Sequence, residues 1–144
     1  MREINKIILH CSDSEWGDKD VIDLWHKARG FTKIGYHFVI LNGQPASGSV
    51  YNAKFDGVIE IGRGVEEVGA HCLGQNKDSI GICLIGKHHF TAVQLYEALP
   101  ALVHNLVVAY KLTTSQVYGH YEFTPEKTCP NIDMKLLTRS LRVL

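Results

Sequence analysis

Hydrophobic and polar positions change period along this chain, and each change marks an element. Ile4 to Leu9 is an apolar, β-branched run that reads as a buried strand, ending at the polar turn His10-Cys11-Ser12-Asp13-Ser14. Val21, Leu24, Trp25 and Ala28 recur at helical spacing ahead of Gly30, which predicts an amphipathic helix packed on a sheet. Trp25 is expected in the core, and His26 and Lys27 in solvent. Gly35 to Leu41 is apolar on both faces and predicts a central strand. Residues 42–56 are irregular and rich in turn pairs, with Val50-Tyr51 as a possible short strand. Gly57 to Ile61 alternates as a further strand, and Ser79 to Gly86 reads as a buried one. The glycines of this last strand suggest close backbone approach to a neighbour; no helix follows to make a phosphate loop.

Thr91-x-x-Gln94 is a capping box that opens the longest helical pattern, with Leu95, Leu99, Leu102 and Leu106 inward and a kink expected at Pro100. A short strand follows at Gln116–Gly119, then a loop, then a closing helix with the stripe Met134, Leu137 and Leu141. His88, His89 and His104 are expected at the surface. The succession predicts a single domain of the mixed α/β class, 1–144, with a central mixed β-sheet flanked by about three helices.

Composition narrows the function classes. Apolar residues make up 45% and charged residues 21%, and fifteen basic residues balance fifteen acidic ones. Nothing in that balance asks for a nucleic-acid or membrane partner, and a monomer is expected. No stretch reads as a signal peptide, and no apolar run approaches the roughly 20 residues that span a bilayer. The expected location is the cytoplasm as synthesised. The four cysteines, Cys11, Cys72, Cys83 and Cys129, lack C-x-x-C spacing and mostly sit in apolar runs, so free thiols with one ligand fit better than a disulfide framework.

The chemistry concentrates in Gly119-His120-Tyr121-Glu122-Phe123-Thr124-Pro125-Glu126-Lys127-Thr128-Cys129-Pro130, which holds an imidazole, an ammonium and a thiol. Two prolines hold it extended. A catalytic zinc needs three protein ligands and an open position, and His10 at the exit of the first strand is the candidate third ligand beside His120 and Cys129. The alternative for His10 is a core histidine bonded to backbone. Lys127 is either an oxyanion-stabilising cation or a solvated lysine. Tyr36 is either a packed aromatic, the commoner outcome, or a phenol aimed into the site. His37 is expected to complete a core hydrogen bond, and His71 to be exposed. Such a site would support metal-assisted hydrolysis of an amide or ester. Glu122 and Glu126 are candidate bases by position alone, since no H-E-x-x-H helix is present.

In this order along the chain, Ile8-Leu9-His10-Cys11-Ser12, Gly35-Tyr36-His37-Phe38, Gly62-Arg63, Gly69-Ala70-His71, Asn76, Ser79-Ile80-Gly81-Ile82, Gly119-His120 and Lys127-x-Cys129-Pro130 carry a resemblance. They resemble the zinc-dependent N-acetylmuramoyl-L-alanine amidases that share their fold with peptidoglycan recognition proteins, especially the compact bacteriophage endolysins. The likeness spans nearly the whole chain. It implies one Zn²⁺ on His10, His120 and Cys129, with Tyr36 and Lys127 as catalytic helpers. It also implies a peptidoglycan cleft lined by His71 and Asn76, with Arg63 nearby. The implied reaction is cleavage of the amide between N-acetylmuramic acid and L-alanine, acting on the cell wall after release. Residues between Leu41 and Asp56 outnumber the tight hairpin usual in compact members, which marks that segment for differences in groove shape. With no separate wall-binding domain, targeting is expected to come from the groove itself.

Two other readings stand beside this one. The recognition-protein relatives bind peptidoglycan without cutting it, though they typically lack the cysteine ligand, and some phage enzymes also bind their phage's RNA polymerase. Alternatively, a fourth ligand such as His71 would close the metal into a purely structural site.

Overall fold

Ile7 and Leu9 point to one side of a five-stranded sheet and His10 to the other, because side chains alternate along a strand. They belong to β1 (Lys6–Cys11), which pairs in parallel with β4 (Ser79–Leu84) on one flank and β5 (Val117–Gly119) on the other. β2 (Phe38–Asn42) lies parallel to β4, and β3 (Asp56–Ile61) closes the edge antiparallel to β2. The sheet order is β3-β2-β4-β1-β5. The computed structural model describes residues 2–142.

Each face of the sheet has its own core. Ile7, Leu9, Ile80, Ile82 and Leu84 pack under α2 (Leu99–Tyr110) and α3 (Met134–Leu141). Val39, Leu41, Cys83 and Ile85 pack under Ile22 of α1 (Lys19–Ala28). The expected mixed sheet flanked by three helices is therefore what forms. Among the described residues no helix is long and apolar enough to cross a membrane.

Several local expectations are corrected. The first strand runs two residues further than its apolar run, so His10 and Cys11 belong to the ladder. Helix α1 is rotated from the expected face: Ile22 and His26 are buried, while Leu24 is 66% exposed. His26 goes inward because its Nδ1 accepts the Gly35 N–H at 2.9 Å, a backbone donor that would otherwise be stranded in the interior. Trp25 is half-buried against Trp16, with ring centroids 5.5 Å apart. No strand forms at Val50-Tyr51; a 3₁₀ turn follows at Ala53–Phe55.

The capping box forms as expected, with Thr91 N–H on Gln94 Oε1 at 2.9 Å and Gln94 N–H on Thr91 Oγ1 at 3.0 Å. The disturbance expected at Pro100 is taken up one turn earlier, where the backbone widens to a π turn over Gln94–Ala98. Pro100 then enters in the first turn of α2, where its missing N–H costs nothing.

Gly81 shows why β4 carries a glycine at its centre. A Cβ there would come within 2.6 Å of the His71 ring. The close approach lets His71 lie flat on the strand, buried and not exposed as expected. His37 completes a core hydrogen bond, accepting the Gly81 N–H at 3.0 Å through Nδ1.

Burial, helped by Arg29 and Arg63, pushes the His26 imidazole down to about 4. Unfolded, it titrates at about 6.5, so between those values the unfolded chain binds more protons and stability falls as pH falls. Urea midpoints should drop from pH 7 to pH 4.5, with His26 contributing on the order of 1 kcal/mol per pH unit inside the window. His26→Gln should flatten the dependence; an unchanged slope would remove His26 from it.

Candidate metal centre and its cleft

Parallel pairing of Leu9 with Gly119 leaves His10 and His120 as the next residues on adjacent strands. Their rings meet with centroids 4.5 Å apart. His120 opens a 3₁₀ turn, His120–Glu122, and the loop then folds back so that Tyr121 N–H bonds Cys129 O at 3.0 Å. That closure returns the Cys129 thiol to β1, where the Cys11 N–H points at its sulfur over 2.8 Å. One ligand atom from each of His10, His120 and Cys129 lies within 4.8 Å of the others, so the three could hold a metal ion. Two imidazoles and a thiol suit a borderline-soft cation of tetrahedral preference. His71 is not part of this group.

The hydrogen bonds behind His10 decide its tautomer. Ser79 Oγ donates to Gln75 O at 2.7 Å, so its oxygen must accept from His71 Nε2, 3.1 Å away. The neutral His71 ring then offers the lone pair of Nδ1 to His10 Nε2–H, 2.8 Å away. His10 is thereby left with a free lone pair on Nδ1, the form a metal ligand requires. Asn76 holds His71 from the other end, its Oδ1 accepting the N–H groups of His71 and Cys72 at 2.8 and 2.9 Å.

The imidazoles stay neutral for the same reason that they are well oriented. Burial, then the neighbouring His71 and His120, hold His10 far below the ordinary histidine range. Burial brings His71 down to about 3, and burial with Lys127 lowers His120. The Cys129 thiol is held above its ordinary value, first by contact with the Cys11 thiol and then by burial. A bound cation would supply the opposite field and release the proton. Burial likewise keeps the Tyr36 phenol protonated.

These groups face a cleft of about 720 Å³, lined in part by Tyr36, His71, Asn76, His120, Lys127 and Cys129. Buried His10 lies beneath the lining, against Tyr36 at 5.0 Å between ring centroids. Lys127 is exposed at the rim and has no ion-pair partner among the described residues. Arg63 stays out of the cleft: its guanidinium donates to Ile34 O at 2.8 Å and Val68 O at 2.7 Å. Glu122 also stays out, its carboxylate accepting the Gly119 N–H at 2.7 Å. The cleft further includes Phe31, Thr124 and Asn131, which no sequence pattern marked as site residues, and His26, which was expected in solvent. For His26 the available signal was its i, i+4 spacing from Ile22.

Comparison with known proteins identifies the chain's relatives. The chain is 34% identical to an endolysin of Klebsiella phage KP32, over 93% of this chain and 85% of that one. Among solved structures it resembles the N-acetylmuramoyl-L-alanine amidase LysC from Clostridium intestinale, with TM-score 0.81 and 27% identity, covering 98% of this chain and 87% of the other. It also resembles the ectodomain complex of peptidoglycan recognition proteins LCa and LCx bound to tracheal cytotoxin, with TM-score 0.72 and 27% identity, covering 96% of this chain and 83% of that one. A sequence profile described as N-acetylmuramoyl-L-alanine amidase matches residues 1–132, and the chain belongs to that family.

Proposed function

We propose that residues 1–144 form a single catalytic domain, a zinc-dependent amidase that cuts peptidoglycan between N-acetylmuramic acid and L-alanine and so lyses the cell wall. The observation that carries the reading is the meeting of His10, His120 and Cys129 under a cleft also lined by Tyr36 and Lys127. Zn²⁺ on that donor set would act as a Lewis acid on the amide carbonyl and lower the pKa of water from 15.7 towards about 7.

The chain's own groups supply the rest. Attack on the amide carbon puts negative charge on its oxygen, and the Lys127 ammonium at the rim is a cation placed to meet it. Tyr36, keeping its proton, donates a hydrogen bond to the attacking water or to the substrate oxygen. His71 is a positioning residue that holds His10 in its metal-binding tautomer, and Asn76 is its brace. Arg63 belongs to the scaffold under this reading, because its donors are already engaged with carbonyls. The open face of the group favours a catalytic metal over a closed structural one, since His71 is turned to His10 and not to a fourth coordination position.

The direct test is zinc content together with turbidity loss of purified cell walls, with and without chelator. Wild type should carry about one zinc, lyse walls and stop with chelator. Cys129→Ser should lose zinc and lysis together; lysis at the native rate would end the metal assignment. Lys127→Ala should retain zinc while turnover falls by on the order of 10²-fold, as for loss of one oxyanion partner. His71→Ala should weaken zinc binding by about 10–100-fold in a competition titration. Unchanged zinc affinity there would reduce His71 to packing.

A further inference from the structure

A second cavity, of about 340 Å³, opens along the same edge of the sheet, at the C-terminal ends of β2 and β4. Its lining includes Gln44 and Tyr51 from the long β2–β3 excursion, and His88, His89 and Phe90 from the turn after β4. It shares a wall with the main cleft. Asp13 and Asn131 line the first cavity, Lys87 lines the second, and Lys87 Nζ is 3.8 Å from Asp13 Oδ1. Asn131 Nδ2 also donates to Lys87 O at 2.7 Å.

Tyr51 gives this cavity its character. Its ring lies on Gly43, where a Cβ would come within 2.5 Å of the ring, and φ of +94° also favours glycine. Its hydroxyl donates to Asp56 Oδ2 at 2.6 Å, and Thr91 Oγ1 secures the other carboxylate oxygen at 2.6 Å. Tyr51 is nevertheless 51% exposed, so an aromatic face is pinned from behind and left open in front. Around it, Gln44 Nε2 is fixed on Ser49 O at 3.1 Å, and the His88 and His89 imidazoles have no hydrogen-bond partner among the described residues. Glu15 and Lys87 put one charge of each sign in the lining, so the cavity selects no net charge. A rigid aromatic face ringed by hydrogen-bond donors and acceptors matches a sugar ring, whose C–H edge stacks while its hydroxyl and acetamido groups hydrogen-bond.

We propose that this cavity is a saccharide subsite, holding a residue of the glycan strand on the sugar side of the scissile amide. It rests on the amidase reading of the main cleft, because only a muramoyl substrate carries a glycan outward from the cut bond. The 42–56 excursion then has a role: it supplies the stacking face.

The test compares two substrates, intact cell-wall sacculi and a soluble single-sugar N-acetylmuramoyl peptide. Tyr51→Ala should raise KM on sacculi about threefold to tenfold relative to the soluble substrate. Tyr51→Phe, which keeps the ring, should change that ratio by less than about twofold. His89→Ala should move it in the same direction as Tyr51→Ala. In a separate arm, a peptide-free N-acetylglucosamine tetramer should shift the NMR signals of Tyr51 and His89, and the His89 shift should vanish in Tyr51→Ala. An unchanged substrate ratio in Tyr51→Ala and His89→Ala, or tetramer shifts absent or confined to the main cleft, would overturn the subsite. If wild type cut neither substrate, the amidase reading would fail, and the tetramer arm would still decide whether the cavity binds sugar.

Discussion

The parallel ladder between β1 and β5 is the constraint on which the candidate centre depends. Its pairing of Leu9 with Gly119 makes His10 and His120 neighbours across two strands more than a hundred residues apart in sequence. A slip of one residue would turn His10 into the aliphatic core, since alternate side chains face opposite ways. Such a slip is opposed by the burial of Ile7 and Leu9, which would have to exchange places with a polar ring. The hydrophobic pattern of one strand thereby sets the position of a chemical group that is not hydrophobic at all.

A second layer of order comes from hydrogen bonds that a neutral interior makes decisive. Ser79, His71 and His10 form a chain with one consistent direction of donation, and the chain ends on a lone pair available to a cation. Water cannot compete inside the fold, so each ring has one satisfactory tautomer. Gly81 is part of this arrangement although it contributes no functional group, because any side chain there would occupy the place of the His71 ring. The same desolvation lowers the imidazoles' affinity for protons, which makes them ready ligands and a liability towards acid.

The active edge of the molecule follows from topology. In open α/β sheets, ligands gather beyond the carboxyl ends of parallel strands. The smaller cavity lies there, past β2 and β4. The larger begins past β1 and β5, at Cys11 and His120, and runs across the sheet face to Tyr36 and Asn76, which precede β2 and β4. The Asp13–Lys87 contact lies between the two cavities. A polymeric substrate, with a sugar strand on one side of its cut bond and a peptide on the other, suits two adjoining cavities of different character.

Much of the fold was legible in periodicity. The buried strands, the capping box, the stripe of α3 and the polar turn loop all declare themselves, because burial imposes period two or 3.6 wherever an element meets a core. The candidate centre was legible as residue types in the loop from His120 to Cys129 and as a lone histidine ending an apolar strand. What only the tertiary structure decided were choices among equivalent residues. His26 and Leu24 exchanged the places expected of them because a backbone N–H at Gly35, in another element, needed an acceptor. His71 turned inward because β4 offered a glycine, and Arg63 was drawn away from the cleft by carbonyls at Ile34 and Val68. Chain order determines which elements form, since those rules are local; which histidine or arginine reaches the cleft depends on partners that arrive from distant segments.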